Sequence, residues 1–170
     1  VLHLRLCPID AAETVLIGDV LVTSLARTVV DVARESSLDQ GVVVADAALR
    51  LGLHPAELAD AVTRAKRRPG VTRARQVASF ADGASQSPGE SVSRVRMHQA
   101  GLPTPVLQWH LGYDDGRTTD SDFGWPELRT LGEFDGKVKY GRLLRPGQTV
   151  ADVVMAEKQR EKPHSPAGVV

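Results

Sequence analysis

The spacing of apolar positions divides this chain into three stretches. Val1 to Leu6 alternates around His3 and Arg5, and Thr14 to Ile17 and Val20 to Val22 flank Gly18-Asp19, a pair suited to a hairpin turn. Residues 1–22 are therefore predicted to be strands, with Pro8 and Asp10 marking the first break. From Ser24 the period becomes helical. Ser24 is an expected N-cap, and Leu25, Val29, Val32 and Ala33 fall on one face. A second helix is expected from Asp39 to Arg50, stopped by Gly52. A third opens at Pro55, with Glu57 in its first turn and an apolar stripe of Leu58, Ala61, Val62 and Ala65. Pro69-Gly70 ends it, and a short fourth covers Val71 to Phe80.

The small residues Gly83-Ala84-Ser85-Gln86 read as a linker. A fifth helix follows from Pro88 to Ala100, ending at Gly101. The period then returns to two. Strands are predicted over Val106–Leu111, Thr118–Phe123 and Leu128–Phe134, with turns at Asp114-Asp115-Gly116 and Trp125-Pro126-Glu127. Residues 136–148 read as a basic loop, Thr149 to Lys162 as a last helix, and 163–170 as a disordered tail.

Composition narrows the function classes. Of 170 residues, 42% are hydrophobic and 25% charged, the proportions of a globular chain. Apolar runs such as Val42-Val43-Val44 fall far short of the roughly 20 residues that span a bilayer. No membrane partner is therefore expected, and with no charged-then-apolar leader before a small-residue cleavage site, secretion is not expected either. Cys7 is the single cysteine, which excludes an internal disulfide and an all-cysteine zinc site and makes the cytoplasm the expected location. His54, His98 and His110 lack metal-ligand spacing, and neither a glycine-rich phosphate loop nor a G-x-S-x-G element occurs. Net charge is +0. Basic residues cluster locally, however: Arg64, Lys66, Arg67, Arg68, Arg73 and Arg75 occur with no acid between them, either a solvated face or a track for a DNA backbone.

The chemistry-bearing stretch runs from Ser121 to Tyr140. With a two-residue turn at Pro126-Glu127, Trp125 pairs with Leu128 and Asp122 lies opposite Leu131. Glu133 then shares a face with Asp122, at the diagonal spacing where two carboxylates can hold one divalent ion. A three-residue loop would put them on opposite faces. Such an ion activates water and offsets phosphate charge, and a nearby lysine supports it. Lys137 and Lys139 lie just beyond. Glu90, in Ser87-Pro88-Gly89-Glu90, fits a helix capping box and is also a third candidate acid.

Several runs together resemble a known family. They are Pro88-Gly89-Glu90-Ser91 with Arg94, Gly101-Leu102-Pro103, Gln108, Asp122-Phe123-Gly124-Trp125-Pro126 and Glu133-Phe134-Asp135-Gly136-Lys137-Val138-Lys139-Tyr140. The pattern resembles the endonuclease-like domain related to very-short-patch-repair enzymes, in the PD-(D/E)xK superfamily. Thr23-Ser24-Leu25-Ala26-Arg27-Thr28-Val29-Val30-Asp31 and Ala45-Asp46-Ala47-Ala48-Leu49 resemble the AbiEi-type antitoxins of type IV toxin–antitoxin systems. The resemblance implies an α/β fold: a restriction-endonuclease-like mixed sheet flanked by helices, after a mainly helical region with a small N-terminal β element. It implies an antitoxin-like region over 1–82, a C-terminally truncated endonuclease-like core over 83–162, and an upstream winged-helix DNA reader.

Function, on this resemblance, is Mg²⁺- or Mn²⁺-dependent DNA cleavage, with DNA and a cognate toxin as partners. Asp122 and Glu133 would be the metal carboxylates and Glu90 the helix-borne acid. Asp135 stands where the superfamily expects lysine, so Lys137 or Lys139 would substitute. The alternative is an inactive antitoxin-like DNA-binding regulator that keeps the nuclease fold.

Overall fold

The computed structural model describes residues 7–112 and 116–135. The chain divides into two compact units after Phe134, and of the described residues only Asp135 belongs to the second. Val1–Leu6, the turn at residues 114 and 115, Lys137, Lys139 and the Thr149–Lys162 segment all lie outside the described residues.

Asp10 and Glu13 cap each other in a 3-10 turn over Ala11–Glu13, which the apolar pattern did not reveal. β1 (Thr14–Ile17) and β2 (Val20–Thr23) then form the expected hairpin, with Gly18 at φ +59°. Leu16, Ile17, Val20 and Leu21 stay exposed on it.

The helices start where the sequence supplies caps. Ser24 caps α1 (Leu25–Glu35), and Ser37 caps α2 (Leu38–Arg50) in a box with Gln40. His54 Nδ1 accepts the Ala56 N–H at the start of α3 (Pro55–Arg64). α4 (Val71–Phe80) follows Gly70, which sits at φ +78° where any Cβ would run into the Arg34 carbonyl. Only glycine fits that close approach. Ser87 caps α5 (Pro88–Gln99), and Gly101 at φ +73° leads out of it.

The core is built from small side chains. Val29, Val30, Ala33, Val42, Ala45 and Val77 are buried where α1, α2 and α4 meet, and α3 and α5 close the cluster. The expected linker is tied down within it. Ser85 is buried, its carbonyl accepts from Arg50, and its hydroxyl accepts from Arg94.

The second sheet is antiparallel, in the order β3 (Val106–Gly112), β4 (Thr118–Trp125), β5 (Thr130–Gly132). Thus the chain is α/β, with helices and, among the described residues, two small antiparallel sheets. The last turn departs from expectation. A 3-10 turn over Pro126–Leu128 and Arg129 at φ +50° separate the strands, and β5 is shorter than the predicted Leu128–Phe134. Trp125 pairs with Thr130, not Leu128. The cause is Pro126: a two-residue hairpin needs positive φ at its centre, and proline is locked near −65°.

Candidate functional site

The longer turn slides the register by two residues, and so preserves its parity. Phe123 pairs with Gly132 and Gly124 with Leu131. Continued by one residue, that register sets Asp122 opposite Glu133 rather than Leu131. On that continuation the two carboxylates would share a face, although the paired positions themselves end at Phe123 and Gly132. Asp122 is half-buried, and its Oδ2 accepts the Phe134 backbone N–H at 2.7 Å. Glu133 is exposed.

The start of α5 reaches the same strands. Glu90 is 6% exposed. Its Oε1 accepts from the Ser87 hydroxyl at 2.7 Å, and its Oε2 accepts from the Gln86 N–H at 2.8 Å and Gln108 Nε2 at 3.0 Å. The Glu90 N–H in turn donates to Ser87 Oγ. Capping is thus real, yet a Gln108 amide from β3 enters it too. Gly89 explains the tight approach from the other side, since any Cβ there would run into the Phe134 ring. These contacts join the start of α5 to Gln108 of β3 and to Phe134, just beyond β5, and Phe134 in turn to Asp122.

Could this set hold a metal? Among the described residues, no group of three or more His, Cys, Asp or Glu side chains is placed to hold an ion by itself. A pair of carboxylates at neighbouring strand ends suits Mg²⁺, which keeps several waters and takes one or two carboxylates plus substrate phosphate. The donor set fits that ion and does not resemble a closed nitrogen or sulfur site. Asp135 is exposed.

The basic residues separate into two kinds. Arg68 donates to the Pro8 carbonyl at 2.9 Å and lies 3.4 Å from Glu13, and Arg73 donates to the Ser36 carbonyl at 2.9 Å. Those two brace the fold. Arg64, Lys66, Arg67 and Arg75 are exposed around the turn between α3 and α4.

Two buried ion pairs carry residues that the apolar pattern could not flag. Arg27, 1% exposed, binds Glu13 at 2.7 Å and Asp31 at 2.6 Å, and donates to Cys7 Sγ. Burial pushes the Glu13 carboxyl up, but the Asp10 N–H, Arg27 and Arg68 outweigh it and hold the group below its ordinary value. For Arg27 burial likewise opposes the charge, and the Asp31 and Glu13 carboxylates outweigh it and hold the pKa above its ordinary value. Arg94 pairs with fully buried Asp46 at 2.8 Å, donates to the Phe80 carbonyl and stacks its guanidinium over that ring at 4.8 Å. The signal was present in R-T-V-V-D, A-D-A-A-L and the Arg94 position, but as residues to recognise, not as pairs.

Among the described residues, no helix is long and apolar enough to cross a membrane. The chain is similar to the uncharacterized proteins Rv2248 and MT2308, from two strains of Mycobacterium tuberculosis, with 32% identity over 155 residues in each case. Each match covers 83% of this chain and 57% of the relative, so the chain spans just over half the length of the curated relatives it matches. No family model matches the chain. No solved structure matches it.

Proposed function

We propose that this chain is a metal-dependent DNA endonuclease of the PD-(D/E)xK kind, working in the cytoplasm in a type IV toxin–antitoxin or defence setting. The observation that supports the reading is the β4–β5 register, which pairs Phe123 with Gly132 and so brings the neighbouring Asp122 and Glu133 to the end of one ladder, while Gln108 links Glu90 to the same sheet. Asp122 and Glu133 hold the cation. When bound, Mg²⁺ or Mn²⁺ lowers the pKa of a water and neutralises phosphate charge. Glu90, fixed by three hydrogen bonds, orients what the two carboxylates hold. By the family resemblance, Lys137 or Lys139, which lie outside the described residues, would take the role of the superfamily's lysine. Arg64, Lys66, Arg67 and Arg75 follow the DNA backbone, and a cognate toxin is the protein partner.

The test is nicking of supercoiled plasmid in Mn²⁺, with and without a chelator. Metal-dependent nicking in wild type, lost in Asp122→Asn/Glu133→Gln at unchanged melting temperature, is the expected result. One observation favours a second reading, that of an inactive DNA-binding regulator: both oxygens of Glu90 are engaged by capping donors. That regulator would bind DNA equally with chelator present and would not nick it.

A further inference from the structure

Gln108 occupies a backbone conformation that its residue type does not explain. Two described non-glycine residues have positive φ, Arg129 at +50° and Gln108 at +49°. Arg129 ends a tight turn. Gln108 lies inside β3. The ladder pairs Leu107 with Phe123 and resumes with Trp109 and Ser121, so register is kept and no residue is inserted. The interruption falls at the level of Asp122. A side chain with a Cβ stays left-handed inside a strand only where its surroundings over-determine it, and such positions gather at functional sites.

The surroundings supply the reason. Gln108 Nε2 donates to Glu90 Oε2 at 3.0 Å. An ionised carboxylate only accepts, so it selects the nitrogen end of the amide and turns the carbonyl oxygen away. Resting on the metal-site reading above, we infer that Gln108 is a positioning residue of that site. Its left-handed backbone places the amide on Glu90 and thereby sets how the Glu90 carboxylate is presented beside Asp122. It is the strand-borne counterpart of the Ser87 cap, linking the helix start to the level of the sheet that bears the first carboxylate.

Two variants separate backbone from amide. Gln108→Ala and Gln108→Gly both delete the amide, and only alanine keeps a Cβ at positive φ. The glycine variant should melt about 3–6 °C above the alanine variant. Calorimetric titration with Mn²⁺ should show both weakened about 10-fold or more relative to wild type, the usual effect of removing a group that orients a metal ligand. Equal melting of the two variants would overturn the strained backbone. Mn²⁺ affinity within about 2-fold of wild type in both would reduce Gln108 to a tie between α5 and β3, and would leave the metal site standing. Absence of Mn²⁺ binding in wild type itself would remove the metal site, and this role with it.

Discussion

Buried charge in the helical region and carboxylates at the sheet are treated differently by this fold. Around α1 and α2, the buried carboxylates meet arginines: Glu13 at Arg27, which also binds the part-buried Asp31, and Asp46 at Arg94. At the sheet, the donors that Glu90 and Asp122 meet among the described residues are neutral: the Ser87 hydroxyl, backbone N–H groups and the Gln108 amide. Taking a charge out of water is costly unless it is paired, so the first arrangement is what stability demands. Neutral donors fix a carboxylate in place but leave its charge uncompensated. The comparison teaches where to look for a ligand: a cation brought to the sheet finds negative charge still available, and one brought to the helical core does not.

The largest effect is expected in the helical region. Arg27→Met leaves Glu13 buried without its closest cation and should cost about 3–5 kcal/mol in urea melts. Adding Glu13→Gln to it should recover most of that loss, and failure to recover would break the idea that pairing is what the arginine provides.

Arg94→Leu should cost about 3 kcal/mol by the same logic, reporting on Asp46. Here the double variant with Asp46→Leu sharpens the contrast. A coupling energy near zero would mean that the pair does not join α5 to α2.

Sheet carboxylates should behave in the opposite way. Asp122→Asn keeps an acceptor for the Phe134 N–H and should shift stability by less than about 1 kcal/mol, while abolishing Mn²⁺-dependent nicking. A collapse of the melting temperature would place Asp122 with the structural acids.

Acid sharpens the comparison from another side. Because the Glu13 pKa is lowered on folding, its stabilisation is complete above its ordinary value near 4.5 and is lost as pH falls through the lower folded value. Stability should fall steeply below about pH 4.5, and Glu13→Gln should flatten that limb of the pH–melting curve. The smallest effect concerns DNA. Neutralising Arg64, Lys66, Arg67 and Arg75 together should reduce the salt slope of binding by about 3–4, and adding Arg68→Gln and Arg73→Gln should reduce it little further.

How much of this was legible in the residues alone differs by element. Helices announced themselves, because Ser24, Pro55 and Ser87 carry their start signals and Gly52 and Gly101 their stops. The Gly18-Asp19 hairpin was equally plain. The turn after Trp125 was not, since proline at a hairpin excludes the short turn without saying which longer one replaces it. Parity survived because the turn grew by two residues, which alternation alone could not foretell. Asp122 and Glu133 were legible as neighbours across that turn. Gln108 was visible only as part of a recurring pattern, because no residue-level rule predicts a left-handed glutamine inside a strand. The ion pairs were invisible for a related reason: Arg27, Asp46 and Arg94 look like surface charges until the chain brings their partners from 14 and 48 positions away.

The most direct test of the uncompensated sheet carboxylates is Mn²⁺ calorimetry on the full chain, wild type against Asp122→Asn/Glu133→Gln, with melting curves for both. The account predicts saturable binding of one ion per chain in wild type, lost in a double variant that melts as wild type does. Binding that survives in the double variant, or that is missing from wild type, would contradict it.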